Sequence, residues 1–282
     1  MYLQRYYRSD DGLRLFARDY PGPGPGAPCV LCLPGLTRNS RDFDRLALAL
    51  SARYRVICPD QRGRGHSQRD PDPARYRPDR YAADMFTLLD LLGLAECSVV
   101  GTSLGGLMAI IMAALQPARL RAVVLNDVGP ELDPRGVARI QAYMGEPAEA
   151  GGLEQAVARL QRINDGNFPD FGPADWLDMV MATHVMEGLV AVPDYDPAIA
   201  QGVNSGSAAP TLWPLFDAIR GKPALVLRGD RSDILSAATV AAMCARLPEL
   251  QAVEIAGRGH APTLDEPAAQ EAIQALLARA YA

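Results

Sequence analysis

Apolar and polar positions alternate at the start of the chain and then gather into short apolar runs. Residues 2–8 and 13–19 alternate, and Asp10-Asp11-Gly12 between them reads as a turn, so the chain is expected to open with a β-hairpin. The stretch PGPGPGAP (21–28) is too short to separate domains and reads as a rigid loop. A repeated strand-then-helix rhythm follows. CVLCLP (29–34), RVICPD (55–60), CSVVGTS (97–103), RAVVLND (121–127), PALVLRGD (223–230) and LQAVEIAG (250–257) are short and rich in Val, Ile and Leu, as parallel strands buried on both faces are. Helical patterns fall near 41–52, 79–92, 104–116, 236–247 and 266–281. In the second of these Ala82, Met85, Leu88, Leu89 and Leu92 recur at helical spacing, and Gly93 supplies the stop. The pattern predicts an α/β protein with a mostly parallel, doubly wound sheet and a ligand site at the carboxyl ends of its strands.

The rhythm breaks once. Between Asp127 and Pro223 no strand pattern stands out, and helical stretches are expected at 134–144, 152–163, 173–190 and 211–220. The reading is a core formed by 1–130 and 211–282, with a helical cap, 131–210, inserted after the sixth strand. Leaving the sheet at a carboxyl end, such an insertion would cover the site; the plainer reading is structural decoration. Trp176, Met181, Met186 and Trp213 suggest an apolar pocket beneath it, although apolar stripes on helices commonly serve as core.

Composition narrows the function classes. The 282 residues are 49% hydrophobic and 22% charged, as in an ordinary globular chain. The net charge of −5 is dispersed, with no basic stripe, so no nucleic-acid partner is expected. No apolar run approaches the ~20 residues of a spanning helix, and no apolar segment follows the charged N-terminus. Membrane insertion is therefore not expected, and a cytoplasmic location is. Five cysteines, an odd number and scattered, argue against a disulfide framework. Cys29 and Cys32 form a CxxC, but on a buried strand residues three apart point to opposite faces, so both are expected in the core.

Candidate chemistry centres on Gly101-Thr102-Ser103-Leu104-Gly105, a G-x-S-x-G pattern that chance supplies in roughly one chain in ten of this length. Context makes it informative. It lies between an apolar strand and the helical run LMAIIMAAL, the strand–turn–helix in which a strained turn raises a serine hydroxyl above the sheet. A serine hydroxyl needs a base near neutral pH, and the chain has three histidines. His260, in AGRGHAP after the last strand, is expected at the same sheet edge. His66, in DQRGRGHS, reads as a turn residue, and His184 as cap packing or a substrate contact.

LPGLTRNS (33–40), PDQRGRGHS (59–67), GTSLGG (101–106) and GRGHAPTLDEP (257–267) together resemble the α/β-hydrolase fold family, its serine-nucleophile esterase- and lactonase-like branch, across nearly the whole chain. The resemblance implies Ser103 as nucleophile, His260 as general base, and an oxyanion hole from the backbone N–H groups of Leu36 and Leu104. Pro34-Gly35 stands where relatives commonly have His-Gly. Most relatives place the acid three residues beyond a glycine after the seventh strand; here that position, counted from Gly229, holds Ser232. Asp127, at the end of the sixth strand, is the favoured acid because some branches draw it from there, and Asp233 is the alternative. The implied reaction is hydrolysis of a carboxylic ester, lactone or thioester of a small-molecule acyl substrate through an acyl-enzyme, with neither metal nor organic cofactor. Alternatives are a C–C bond hydrolase, a cofactor-free haloperoxidase-like enzyme, or a hydrolase-fold small-molecule binder.

Overall fold

A computed structural model of the chain describes residues 1–144, 151–203 and 211–282. Strands β1 (Leu3–Arg8) and β2 (Arg14–Tyr20) form the opening hairpin. They are followed by β3 (Cys29–Leu33), α1 (Asp44–Leu50), β4 (Arg55–Asp60), α2 (Pro78–Leu91), β5 (Cys97–Thr102), α3 (Leu104–Leu115) and β6 (Leu120–Asn126). The insertion holds α4 (Pro134–Met144), α5 (Leu153–Ile163), α6 (Pro173–Thr183), β7 (His184–Glu187), β8 (Val190–Pro193) and α7 (Ile199–Val203). The chain rejoins the core with α8 (Trp213–Phe216), β9 (Ala224–Gly229), α9 (Ala237–Arg246), β10 (Gln251–Ile255) and α10 (Pro267–Ala280).

Eight strands make one sheet in the order β1-β2-β4-β3-β5-β6-β9-β10, with β2 antiparallel to both neighbours and the others parallel. This is the expected α/β-hydrolase architecture. Strand β3 shows why a continuous apolar run is needed: every residue is buried, Leu31 in the core on one sheet face, Val30 and Cys32 in that on the other. Cys29 shares Leu31's cluster, so the two cysteines of the CxxC point to opposite faces. Helices α2 and α3 cover one face, α1 and α10 the other. No helix among the described residues is long and apolar enough to cross a membrane.

The insertion departs from the expectation in α7, a short helix where none was expected, and in a hairpin. The helix expected over 173–190 stops at Thr183, and residues 184–193 form an antiparallel hairpin closed by Gly188 and Leu189. Gly188 has φ +64°, the left-handed backbone that a two-residue hairpin turn needs at its first position. The insertion has its own apolar core, in which Trp176 packs with Phe168, Val180 and Ala191. It is pinned to the sheet's upper edge by polar contacts. Arg41 reaches Asp194 at 2.7 Å and the Ala182 carbonyl at 2.9 Å, Tyr76 donates to Asp196 at 2.6 Å, and the Asp196 N–H donates to the Gly63 carbonyl at 2.7 Å.

Candidate active site

Ser103 sits between β5 and α3 with φ 53° and ψ −116°, a conformation that costs a non-glycine residue about 1–3 kcal/mol. Glycines make that turn possible. A Cβ at Gly101 would collide with the Gly105 carbonyl, and one at Gly105 with the Leu33 carbonyl. Around the turn, Ser103 N–H donates to the Asn126 carbonyl at 3.0 Å. The buried Asn126 amide donates to Thr102 Oγ1 at 3.0 Å and to the Pro262 carbonyl at 2.9 Å, joining the serine turn, the end of β6 and the histidine loop.

His260 follows β10 and bridges two side chains. Its Nε2 lies 2.8 Å from Ser103 Oγ and its Nδ1 2.7 Å from Asp127 Oδ2. Asp127 is wholly buried just past β6, at φ 55°. Its Oδ1 accepts from the Gly229 N–H at 2.8 Å and its Oδ2 from the Ser232 hydroxyl at 2.6 Å. Asp233, the other candidate acid, points elsewhere. Arg139 of α4 holds it through two bonds of 2.6 and 2.9 Å. Burial opposes ionisation of Asp233, but the Arg139 guanidinium outweighs it and holds the carboxyl below the usual range. Nor does Asp233 cap α9, where Ser236 Oγ accepts from the Thr239 N–H at 2.9 Å.

Of the two expected oxyanion donors, Leu104 follows Ser103 in the chain and Leu36 lines the same cavity as Ser103. Leu104 opens α3, where the first N–H groups have no intrahelical acceptor. Leu36 lies in the loop after β3, where a Cβ added at Gly35 would come 3.8 Å from Ser103 Cβ. Two residues that the sequence reading passed over hold this loop. Buried Gln61 donates to the Pro34 carbonyl at 3.2 Å, and buried Arg64 to the Leu36 carbonyl at 2.9 Å. Both come from PDQRGRGHS, and polar side chains bracketing glycines in that turn were the available signal. His66, in the same turn, is exposed and packs edge-on to Phe16 at 4.9 Å.

Ser103, His260 and Leu36 open into a cavity of about 640 Å³ between sheet and insertion. Its apolar lining includes Ile140, Leu160, Phe168 and Met179, and its polar lining Arg159, His184 and Tyr195. Of the four apolar side chains singled out in the sequence, Met181 lines the cavity. Trp176 is in the insertion's core instead, Met186 is exposed on the hairpin, and the Trp213 indole donates to Glu131 at 2.9 Å. Among the described residues, the carboxylates Asp10, Asp11 and Asp84 lie close enough to share a cation, but Arg80 and Arg62 already pair with them.

Comparison with known proteins bears on this arrangement. A family model described as the alpha/beta hydrolase fold matches residues 28–267. The chain is 41% identical over 257 residues to a 3-hydroxybutyrate-oligomer hydrolase of Cupriavidus necator, covering 86% of each chain. It is 27% identical over 233 residues to a 2-(acetamidomethylene)succinate hydrolase of Mesorhizobium japonicum, covering 83% of this chain and 81% of the other. Among solved structures, an α/β hydrolase from Novosphingobium aromaticivorans superposes with a TM-score of 0.93 at 45% identity, covering 99% of this chain and 98% of that one.

Proposed function

The chain belongs to the α/β-hydrolase fold family and is a hydrolase of that fold, and from this premise we propose that it is a serine hydrolase cleaving a carboxylic ester, lactone or thioester, with Ser103, His260 and Asp127 as its triad. The observation that carries the reading is the unbroken line Asp127 Oδ2–His260 Nδ1, 2.7 Å, and His260 Nε2–Ser103 Oγ, 2.8 Å, with Ser103 and His260 lining a cavity.

In this reading Ser103 Oγ attacks the acyl carbon while His260 Nε2 takes its proton. Asp127 fixes the imidazole tautomer and stabilises the ring's positive charge. The Leu36 and Leu104 N–H groups meet the oxygen on which negative charge develops. His260 returns the proton to the departing alkoxide or thiolate, and water then releases the acid by the reverse sequence. The relative at 41% identity acts on 3-hydroxybutyrate oligomers, so a short aliphatic ester is the first substrate class to try.

The test is a panel of p-nitrophenyl esters of two to eight acyl carbons, with Ser103→Ala and His260→Ala beside the unaltered enzyme. Both variants should lose more than about 10³-fold in kcat, and by similar amounts, since triad members act as a unit. A Ser103→Ala protein retaining more than a few per cent of the activity would contradict the reading.

A further inference from the structure

Positive charge around the cavity is matched residue by residue, with one exception among the described residues. Arg38 pairs with Asp42 at 2.6 Å, Arg41 with Asp194 at 2.7 Å, Arg139 with Asp233 at 2.6 Å, and Arg258 with Asp170 at 2.6 Å and Glu266 at 2.7 Å. Arg45, at the outer rim, pairs with Asp178 and Asp265. Arg159 of α5 lines the same cavity and is only 8% exposed, yet meets no carboxylate among the described residues. Its guanidinium hydrogen-bonds the Tyr195 hydroxyl, its Nη2 lies 3.5 Å from the Tyr143 carbonyl, and its Nε–H is buried without an acceptor.

A buried guanidinium with a donor unmatched and only neutral partners is costly, and an anion brought by a ligand relieves that cost. The field on this wall is positive. Burial, and then the charges of Arg159, Arg38 and Arg41, push the neighbouring His184 imidazole down to about 4, so it is neutral under ordinary conditions. The same cavity is lined by Ser103 and His260.

We infer that Arg159 receives a free carboxylate on the substrate, making the enzyme selective for ester acids, such as short linear oligoesters of a hydroxy acid, over neutral esters. The inference rests on the ester-hydrolase reading above. In the reaction the bond from Ser103 Oγ to the acyl carbon forms and the ester C–O bond breaks, with the proton passing through His260; the distal carboxylate is unchanged. Arg159 therefore acts in binding and placement. A linear oligoester of a hydroxy acid has one free carboxylate, at one end, so this contact also fixes the end from which units are released.

The probes are the linear dimer of 3-hydroxybutyrate as free acid and as methyl ester, with p-nitrophenyl acetate as a general acyl donor. The unaltered enzyme should favour the free acid in kcat/KM by about 10- to 100-fold, the range expected of a charge-assisted hydrogen bond. Arg159→Gln should collapse that ratio towards one, chiefly through KM of the acid, and Arg159→Lys should restore part of it. Millimolar 3-hydroxybutyrate should raise Tm of the unaltered protein more than that of the Gln variant, a readout independent of turnover. Equal use of acid and methyl ester by the unaltered enzyme overturns the inference, as does a Gln variant that loses both alike while the Lys variant shows no rescue. If p-nitrophenyl acetate is turned over and neither dimer is, this inference fails while the serine-hydrolase reading stands. If a fluorophosphonate leaves Ser103 unmodified, both fail.

Discussion

Asp127 accepts three donors at once, from His260 Nδ1, the Ser232 hydroxyl and the Gly229 N–H, and they fix a carboxylate carried on left-handed backbone. Asp127→Asn should therefore cost about 10⁴-fold in kcat, the loss expected when the imidazole is left in the wrong tautomer. Asp233→Asn should stay within a few-fold of the parent, because that side chain is taken up by Arg139. Steady-state rates on one p-nitrophenyl ester decide it, and a collapse of the Asp233 variant beside an active Asp127 variant would reverse the assignment. Ser232→Ala removes one donor to the carboxylate and should lower kcat by about 10-fold. Ser103 and His260 were legible in the sequence because each sits in a motif with a fixed place on the fold. The proposed acid was harder to place. Spacing after Gly229 left Asp127 and Asp233 both standing, and the hydrogen bonds that separate them join segments about a hundred residues apart.

At the scale of elements, the strand–helix rhythm was readable because the parallel strands are buried on both faces and so spell continuous apolar runs. The hairpin of β7 and β8 was not. Val185, Met186 and Leu189 are exposed, so no alternation marks a buried face, and the apolar run HVMEGLV suits a helix as well as a strand. Gly188 was the one local signal for a turn, and a lone glycine also occurs within helices. The serine turn is tightly constrained. Gly105→Ala drives a methyl into the Leu33 backbone, which should destabilise the protein by about 3 kcal/mol, read as a fall in the urea unfolding midpoint. Ser103→Ala should leave that midpoint within about 0.5 kcal/mol of the parent, since no bulk is added. Equal stability of the two variants would mean that the glycines are not what permits the turn.

For the whole molecule, the segment between β6 and α8 lines the cavity and also touches the histidine loop. The Asn167 carbonyl accepts from the Gly259 N–H at 2.8 Å, one residue before His260, so the insertion braces the histidine loop. Replacing residues 132–210 with a short linker should leave a compact core, but one with both weakened activity and lost substrate preference, measured as kcat/KM across the ester panel. Retention of the parent's preference would remove the insertion from substrate selection. The break in rhythm after Asp127 was visible in the sequence; that loops beyond it would touch the histidine was not, because the contact joins segments 92 residues apart with no pattern of their own. The account stands or falls on Ser103 as the covalent nucleophile. The direct measurement is peptide mapping by mass spectrometry after treatment with a fluorophosphonate. The account predicts one stoichiometric adduct, on Ser103, formed in step with loss of esterase activity and absent from Ser103→Ala; full inhibition with the adduct elsewhere, or esterase activity surviving complete modification of Ser103, would contradict it.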